Sequence, residues 1–254
     1  MLLNPKKKSP RLSINKMPIE EVTDGLIDEM WILFSNNYLD VEKDKFIEDL
    51  MEKDDVFCGF DRGNNELGGF TTVKIYSKEI DGKKIWVYFS GDTMFRKKYW
   101  GQKILHSSVG LHLLWHRLKH PFQPFYWFLV VMGYKTYLTM ARNTPLYWPR
   151  YDRKTPLHIQ RIIQRLAVDR FGDNYDSLTG LIAPHMGSGN LAKHVAPITS
   201  ELKNSISEVG FLTQKNPNYA KGYELACLGK LNGFFFLKVW FKKIQWKIHK
   251  ITVF

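Results

Sequence analysis

The 254-residue sequence is poor in cysteine, with only Cys58 and Cys227 and no CxxC pair. Two isolated thiols cannot staple a small scaffold or build a zinc knuckle, so those fold classes are excluded. No apolar run reaches the roughly 18 residues that a bilayer-spanning helix needs. The longest candidates, near 125–132 and 234–241, are too short or are broken by lysine. Lys6, Lys7 and Lys8 lead into Ser9 and Pro10 rather than an apolar stretch, which argues against a secretory signal and for a soluble cytoplasmic protein. Acidic residues are scarce as well. The 25 Asp and Glu face 37 Lys and Arg, leaving a net charge of +12, and none follows Glu224.

What is present is ordinary for a globular chain: 44% hydrophobic and 24% charged residues exclude wholesale disorder. The basic excess asks for an anionic partner, whether nucleic acid, anionic lipid, a phosphorylated cofactor or an acidic carrier protein. Pro18 opens a helical pattern in which Ile19, Val22, Leu26, Met30, Leu33 and Phe34 recur on one face. A second amphipathic helix is expected over 41–53. The period then shortens: strands are predicted over 55–61, 67–76 and 85–95, with turns at 62–65 and 81–83. A helix over 101–119 is followed by a dense β-branched and aromatic strand, 125–132, and by a helix starting near Tyr134. Another helix is expected over 156–171, then a Gly/Pro/Asn-rich region to about 217 and a strand over 223–230. The order describes a mixed α/β (α+β) domain with a central sheet.

The most informative stretch is IWVYFSGDTMFRKKYWGQKILHSSV, residues 85–109. An apolar strand runs through a basic loop and a glycine into a helix, whose first backbone N–H groups favour an anion. Arg96, Lys97, Lys98 and Lys103 surround that point, and Gly101 leaves room for close backbone approach. An ordinary strand–helix connection with a solvated basic turn would read the same way.

This loop and the order of elements resemble the GNAT (GCN5-related N-acetyltransferase-like) superfamily, whose pyrophosphate loop reads R/Q-x-x-G-x-G/A. The matching residues are Lys98-Tyr99-Trp100-Gly101-Gln102-Lys103. Lys98 stands for the usual Arg or Gln, and Lys103 for the second small residue. Together with YFSGDT, YWFLVVMGYKTY and YWPRYD, the text is similar to a bacterial GNAT-like subgroup over roughly residues 25–230. The resemblance implies a mostly antiparallel sheet with a splayed strand pair, flanked by helices. It implies acyl-CoA, or an acyl-phosphopantetheine carrier protein, as the thioester donor and an amine as the acceptor, with no metal. The pyrophosphate would rest on the loop, with Met94, Phe95, Arg96, Lys98, Trp100, Gly101, Gln102 and Lys103 as its binding residues. Backbone amides near Met94 and Phe95 would polarise the thioester carbonyl.

Direct aminolysis needs a base and an acid. Asp92 lies in an otherwise apolar strand, where a carboxyl must be paired or face a cavity. The resemblance implies a tyrosine in the region after the 125–132 strand as the acid for the thiolate, which makes Tyr134 and Tyr137 the candidates; packing with a bonded hydroxyl is the ordinary role of such tyrosines. Lys135 is a candidate to hold a phosphate or to pair with Asp92. His112, His116 and His120 recur on one helix face without an accompanying HExxH, so a structural row is expected. Cys58 and Cys227 read as core residues.

The chain thus divides into a polar arm (1–17), a GNAT-like acyltransferase domain (18–231) and a basic aromatic C-terminal helix (232–254). In the last, Leu237, Trp240, Phe241, Ile244, Ile248 and Ile251 share a face, opposite lysines. It suits an anionic membrane surface, or docking on its own domain or on a second copy. The two rival functions are a catalytically silent binding module and a nucleic-acid binder, for which the sequence holds no recognisable motif.

Overall fold

The computed structural model describes residues 11–100, 104–184, 189–192, 195, 197–237 and 239. In chain order its elements are β1 (Leu12–Pro18), α1 (Asp24–Ser35), β2 (Tyr38–Leu39), α2 (Lys43–Met51), β3 (Asp55–Asp61), β4 (Leu67–Ile80), β5 (Lys83–Phe95) and α3 (Ile104–Lys119). There follow β6 (Phe125–Val131), α4 (Tyr134–Asn143), β7 (Tyr147–Trp148), α5 (Leu157–Phe171), β8 (Tyr175–Asp176), β9 (Leu181–Ile182), β10 (Asn190–Leu191), α6 (Ser200–Ser205), α7 (Ser207–Lys215) and β11 (Glu224–Lys230). Among the described residues, nine strands form one sheet in the order β1-β3-β4-β5-β6-β11-β9-β8, with β7 also on β11, and β10 pairs β2 separately. The architecture is mixed α/β, a largely antiparallel sheet flanked by helices.

Local chemistry explains the long hairpin at its centre. Asp81 (φ 50°) and Gly82 (φ 69°) both take left-handed backbone, the two-residue turn whose twist matches the strands it joins. β4 and β5 then pair from Ile80↔Lys83 to Gly69↔Phe95, with one register shift between Thr71 and Val73. Across that shift β4 advances two residues and β5 three, from Ser90 to Thr93, so the extra residue lies in β5. A β-bulge of this kind reverses the alternation of side chains. Ile85, Val87 and Phe89 face the α5 core, whereas beyond the bulge it is the even-numbered Met94 that joins Phe70 under α1 and α2.

The sheet is therefore covered on both faces. One face carries α1, α2 and α5; the other carries α3 with Phe235, Phe236 and Val239, and α4 with α7. Phe70 and Phe128 are 0% exposed, each burial contributing roughly 2–3 kcal/mol. Between β5 and β6 runs a parallel ladder, Trp86↔Phe125 to Phe89↔Phe128. Beyond Phe89 and Phe128 the two strands no longer pair, although both continue, to Phe95 and to Val131. The sheet splays open at this point.

Several expectations are corrected. The polar arm is not free: residues 12–18 form an edge strand, Leu12↔Asp61 to Pro18↔Asp55. The first helix starts at Asp24 rather than Pro18, where Thr23 caps it by accepting from the Leu26 N–H at 3.4 Å. The Gly/Pro/Asn-rich region holds α6 and α7, the former capped by Thr199. Of the settings expected for the C-terminal segment, its start takes docking on its own domain: Phe235 and Phe236 are buried, and Val239 lies against Gly110 of α3. Lys238 and residues 240–254 of that segment lie outside the described residues. No helix among the described residues is long and apolar enough to cross a membrane.

Candidate functional site

The splay has a rim and a floor. The rim is the 3-10 turn after β5, Lys97–Tyr99, followed by Trp100. The Arg96 N–H bonds the Gly68 carbonyl at 2.8 Å, so in the antiparallel alternation Met94 also directs its amide into the β4 ladder, and Phe95 faces the splay. Of the two amides expected to polarise a carbonyl, only Phe95's faces the splay rather than the β4 ladder. The Phe95 carbonyl accepts the Trp100 indole N–H at 3.0 Å. Across the opening, Lys135 of α4 sets its ammonium 3.8 Å from the Trp100 ring centre and donates to the Val195 carbonyl. Lys135 thus joins the β6 side of the mouth to the β5 side and does not pair with Asp92. Burial, with Lys97 nearby, lowers its pKa.

The other loop cations are unequally engaged. Arg96 donates to the Leu67 carbonyl at 2.8 Å, which ties its guanidinium to β4. Lys98 lies over the Tyr99 ring, 3.7 Å from Asp61 and 3.8 Å from Glu66. Tyr99, 1% exposed, anchors the turn by donating to Asp61. Lys97 has no ion pair among the described residues. Together with the end of α1 (Ile32, Leu33, Asn36, Asn37), residues 95–98 and Trp100 line a cleft of about 550 Å³. Gly101, Gln102 and Lys103 lie outside the described residues.

The floor is acidic and half-buried. Reversal at the bulge turns Asp92 to the α1/α2/α5 face, where burial first, and Asp49 second, push its carboxyl up to about 7 against Lys53 and Arg170. Glu224, at the start of β11, is pushed up to about 8 by burial, then by Asp92 and Asp49. Lys53 is 4% exposed and bonds Asp49 at 2.5 Å; burial lowers its pKa while Asp49 raises it. Arg170 of α5 lies 4.1 Å over the Phe89 ring and pairs with Asp49 at 2.9 Å and Glu52 at 3.2 Å. Tyr38, stacked on Phe34, is raised by burial and by Asp92 and Glu224. On the opposite face the Trp127 indole reaches from β6 to Ser90 Oγ at 2.9 Å, closing the end of the ladder.

The two tyrosines part company. Tyr134 opens α4 directly beyond β6 and packs, half-buried, against the same core as Tyr137, but its hydroxyl has no hydrogen bond among the described residues. Tyr137 is 0% exposed, stacks on Phe211, and donates to the Pro149 carbonyl at 2.8 Å, on the face opposite Asp92. It is not brought to the site. The histidine row packs on Trp86, with ring centres 4.4 Å (His116) and 4.3 Å (His120) away, and His116 is pushed down to about 4 by burial and by its neighbours. His112 stands 3.5 Å from Asp55. Cys58 and Cys227 are buried free thiols.

Sequence reasoning missed Glu224, Lys53, Asp49 and Arg170. Glu224 carried a legible signal, a carboxyl opening the apolar strand ELACLGK; Asp49 and Arg170 lie on helices and Lys53 in the loop after α2, and only packing brings them under β5.

No protein-family model matches the chain, and no curated protein matches it. Solved structures to which it is similar include a GNAT family N-acetyltransferase from Escherichia coli in complex with CoA, 15% identical over 55% of this chain and 70% of that one, with TM-score 0.35. A GCN5-related N-acetyltransferase from Kribbella flavida is 10% identical over 51% of this chain and 33% of that one, with TM-score 0.37. A conserved protein of Enterococcus faecalis, described as a probable N-acyltransferase, is 14% identical over 71% and 45% of the two chains, with TM-score 0.39.

Proposed function

We propose that the protein is an N-acyltransferase that moves an acyl group from a thioester, of CoA or of an acyl-phosphopantetheine carrier, to an amine by direct attack. One observation carries the reading: two parallel strands that part just where a bulge puts a raised carboxyl beside the opening. An extended pantetheine arm matches the gap, since it can use the backbone groups that β5 and β6 leave unpaired there. The Phe95 N–H supports carbonyl polarisation. Lys97, Lys98 and Lys135 at the rim suit the anionic end of the donor, and the cleft beside them has room for it.

Asp92 is the base. With its pKa near neutrality it is deprotonated often enough to accept an ammonium proton, and basic enough to do so usefully. Tyr134 is the candidate acid for the leaving thiolate, because its hydroxyl is uncommitted and α4 begins at the mouth. Incubation with acyl-CoAs of increasing chain length and a panel of amines, following free thiol release, tests the reading. Amine-dependent release that Asp92→Asn abolishes supports it. Thioester binding without release by any amine assigns the chain to a binding module, and no binding removes the transferase.

A further inference from the structure

We infer that the recess between Asp92 and Glu224 receives the ammonium group of the acceptor, and that Glu224 is a second catalytic carboxyl acting on it. The inference rests on the transferase reading above. Leu225 pairs Val131, so Glu224 is level with the end of β6; Phe89 pairs Phe128, and three residues further on stand Asp92 and Val131. The two carboxyls therefore flank the last residues of β6 at one height, where β5 and β6 have stopped pairing. Both are on the α1/α2/α5 face, Glu224 sharing the parity of Ala226 and Leu228.

The charges around them leave this pair uncommitted. Lys53, from the end of α2, is bonded to Asp49, and Arg170 of α5 is shared between Asp49 and Glu52. Neither Asp92 nor Glu224 has a hydrogen-bond or ion-pair partner among the described residues. Tyr38 adds a hydroxyl from β2. A separate observation marks the same place: Thr72 is 1% exposed, yet its Oγ1 has no partner. That oxygen lies 2.2 Å from where a Cβ on Gly91 would stand, with Lys53 Cε 2.7 Å from the same point, so the orphaned hydroxyl is aimed at the bulge that carries Asp92.

This chemistry selects an aminoalkyl group with no anion close to its nitrogen. An ammonium satisfies both carboxyls, whereas a neighbouring carboxylate or phosphate would meet Asp49, Asp92 and Glu224 together. Burial raises both carboxyls and each opposes the other's ionisation, so the pair gives up its protons in two steps, the second harder than the first. In the step, the ammonium gives one proton to the carboxyl pair and the nitrogen lone pair attacks the thioester carbon. The C–N bond forms as the C–S bond breaks, the nitrogen sheds its second proton, and the thiolate leaves with its electron pair and takes up one proton through Tyr134, so that one proton remains on the carboxyl pair and passes to solvent. Amine and thioester become amide and thiol.

The test uses the full chain, cadaverine and glutamate as acceptors, and acetyl-CoA plus the acyl-CoA that the wild type turns over best. Calorimetry of cadaverine alone needs no donor, and Glu224→Gln is expected to weaken it at least tenfold while leaving acyl-CoA affinity within twofold. Thiol release with cadaverine is expected to fall about a hundredfold in kcat/KM. The acidic limb of its pH profile should shift to lower pH, and Glu224→Asp should recover part of the rate. Glutamate accepted as well as cadaverine, or unchanged cadaverine binding and turnover in Glu224→Gln, overturns the inference. Cadaverine binding that depends on Glu224 in a protein that binds no acyl-CoA keeps the recess and removes the transferase.

Discussion

The two sides of the splay treat charge in opposite ways. At the rim, Lys97 and Lys98 stand exposed on a short turn, where water screens them and each is cheap to keep ionised. On the floor, Asp92 and Glu224 share a recess closed by α1, α2 and α5, and each holds the other's proton in place. The first arrangement attracts an anion and leaves it soluble at the edge. The second alters the chemistry of its own groups. The difference is one of sign and burial together: exposed cations of the majority charge at the rim, half-buried carboxyls of the minority charge on the floor.

That contrast can be broken at several points. Asp92→Asn should lower amine-dependent turnover by about 10²–10⁴, with donor affinity little changed in titration calorimetry; a loss of donor affinity instead would move the carboxyl to the rim's task. Gly91→Ala should cost about 1–3 kcal/mol in denaturant unfolding, because its Cβ would meet Thr72 Oγ1 at 2.2 Å and Lys53 Cε at 2.7 Å. Lys97→Ala is expected to weaken acyl-CoA binding roughly three- to tenfold in low salt, with kcat unchanged, and the gap should close as salt rises.

A smaller effect separates the floor from the rim by pH. Both carboxyls have folded-state pKa values above their unfolded ones, so the native state binds more protons than the unfolded chain. They therefore subtract stability progressively as pH rises from the ordinary carboxylate range through about 8, and subtract none below it. Glu224→Gln should raise the melting temperature by roughly 2–4 °C at pH 8.5 and leave it nearly unchanged at pH 4. Smallest of all, Tyr137→Phe should cost about 1 kcal/mol, the loss of the Pro149 hydrogen bond, while thiol release stays at wild-type rates; a collapse in rate would restore Tyr137 as the acid.

The residues that were easiest to read were those whose local pattern and tertiary fate agree. The strand 55–61 is found as expected because VFCGF is buried on both sides. The apolar run at 125–132 becomes β6, a central strand, for the same reason. β1 was missed because Ser13, Asn15 and Lys16 make a weak strand in isolation, and its pairing with β3 lies some 45 residues away. Asp92 was legible as a carboxyl out of place. Tyr137 was misread because a tyrosine after a strand looks the same whether its hydroxyl faces a cleft or a carbonyl.

Sequence alone determined the alternation of strands and helices, the tight turn at Asp81-Gly82, and the basic loop after β5, since each follows from short-range periodicity, backbone sterics or composition. Only the tertiary structure decided which face Asp92 occupies, that Glu224 stands level with it, and that Lys53 and Arg170 are already taken. Those outcomes depend on strand register, one inserted residue and helix packing, which bring together side chains separated by up to 175 positions. A pKa is a property of that neighbourhood rather than of the residue type, so the chain in order marks Asp92 as a carboxyl whose pKa is raised but not the groups that raise it.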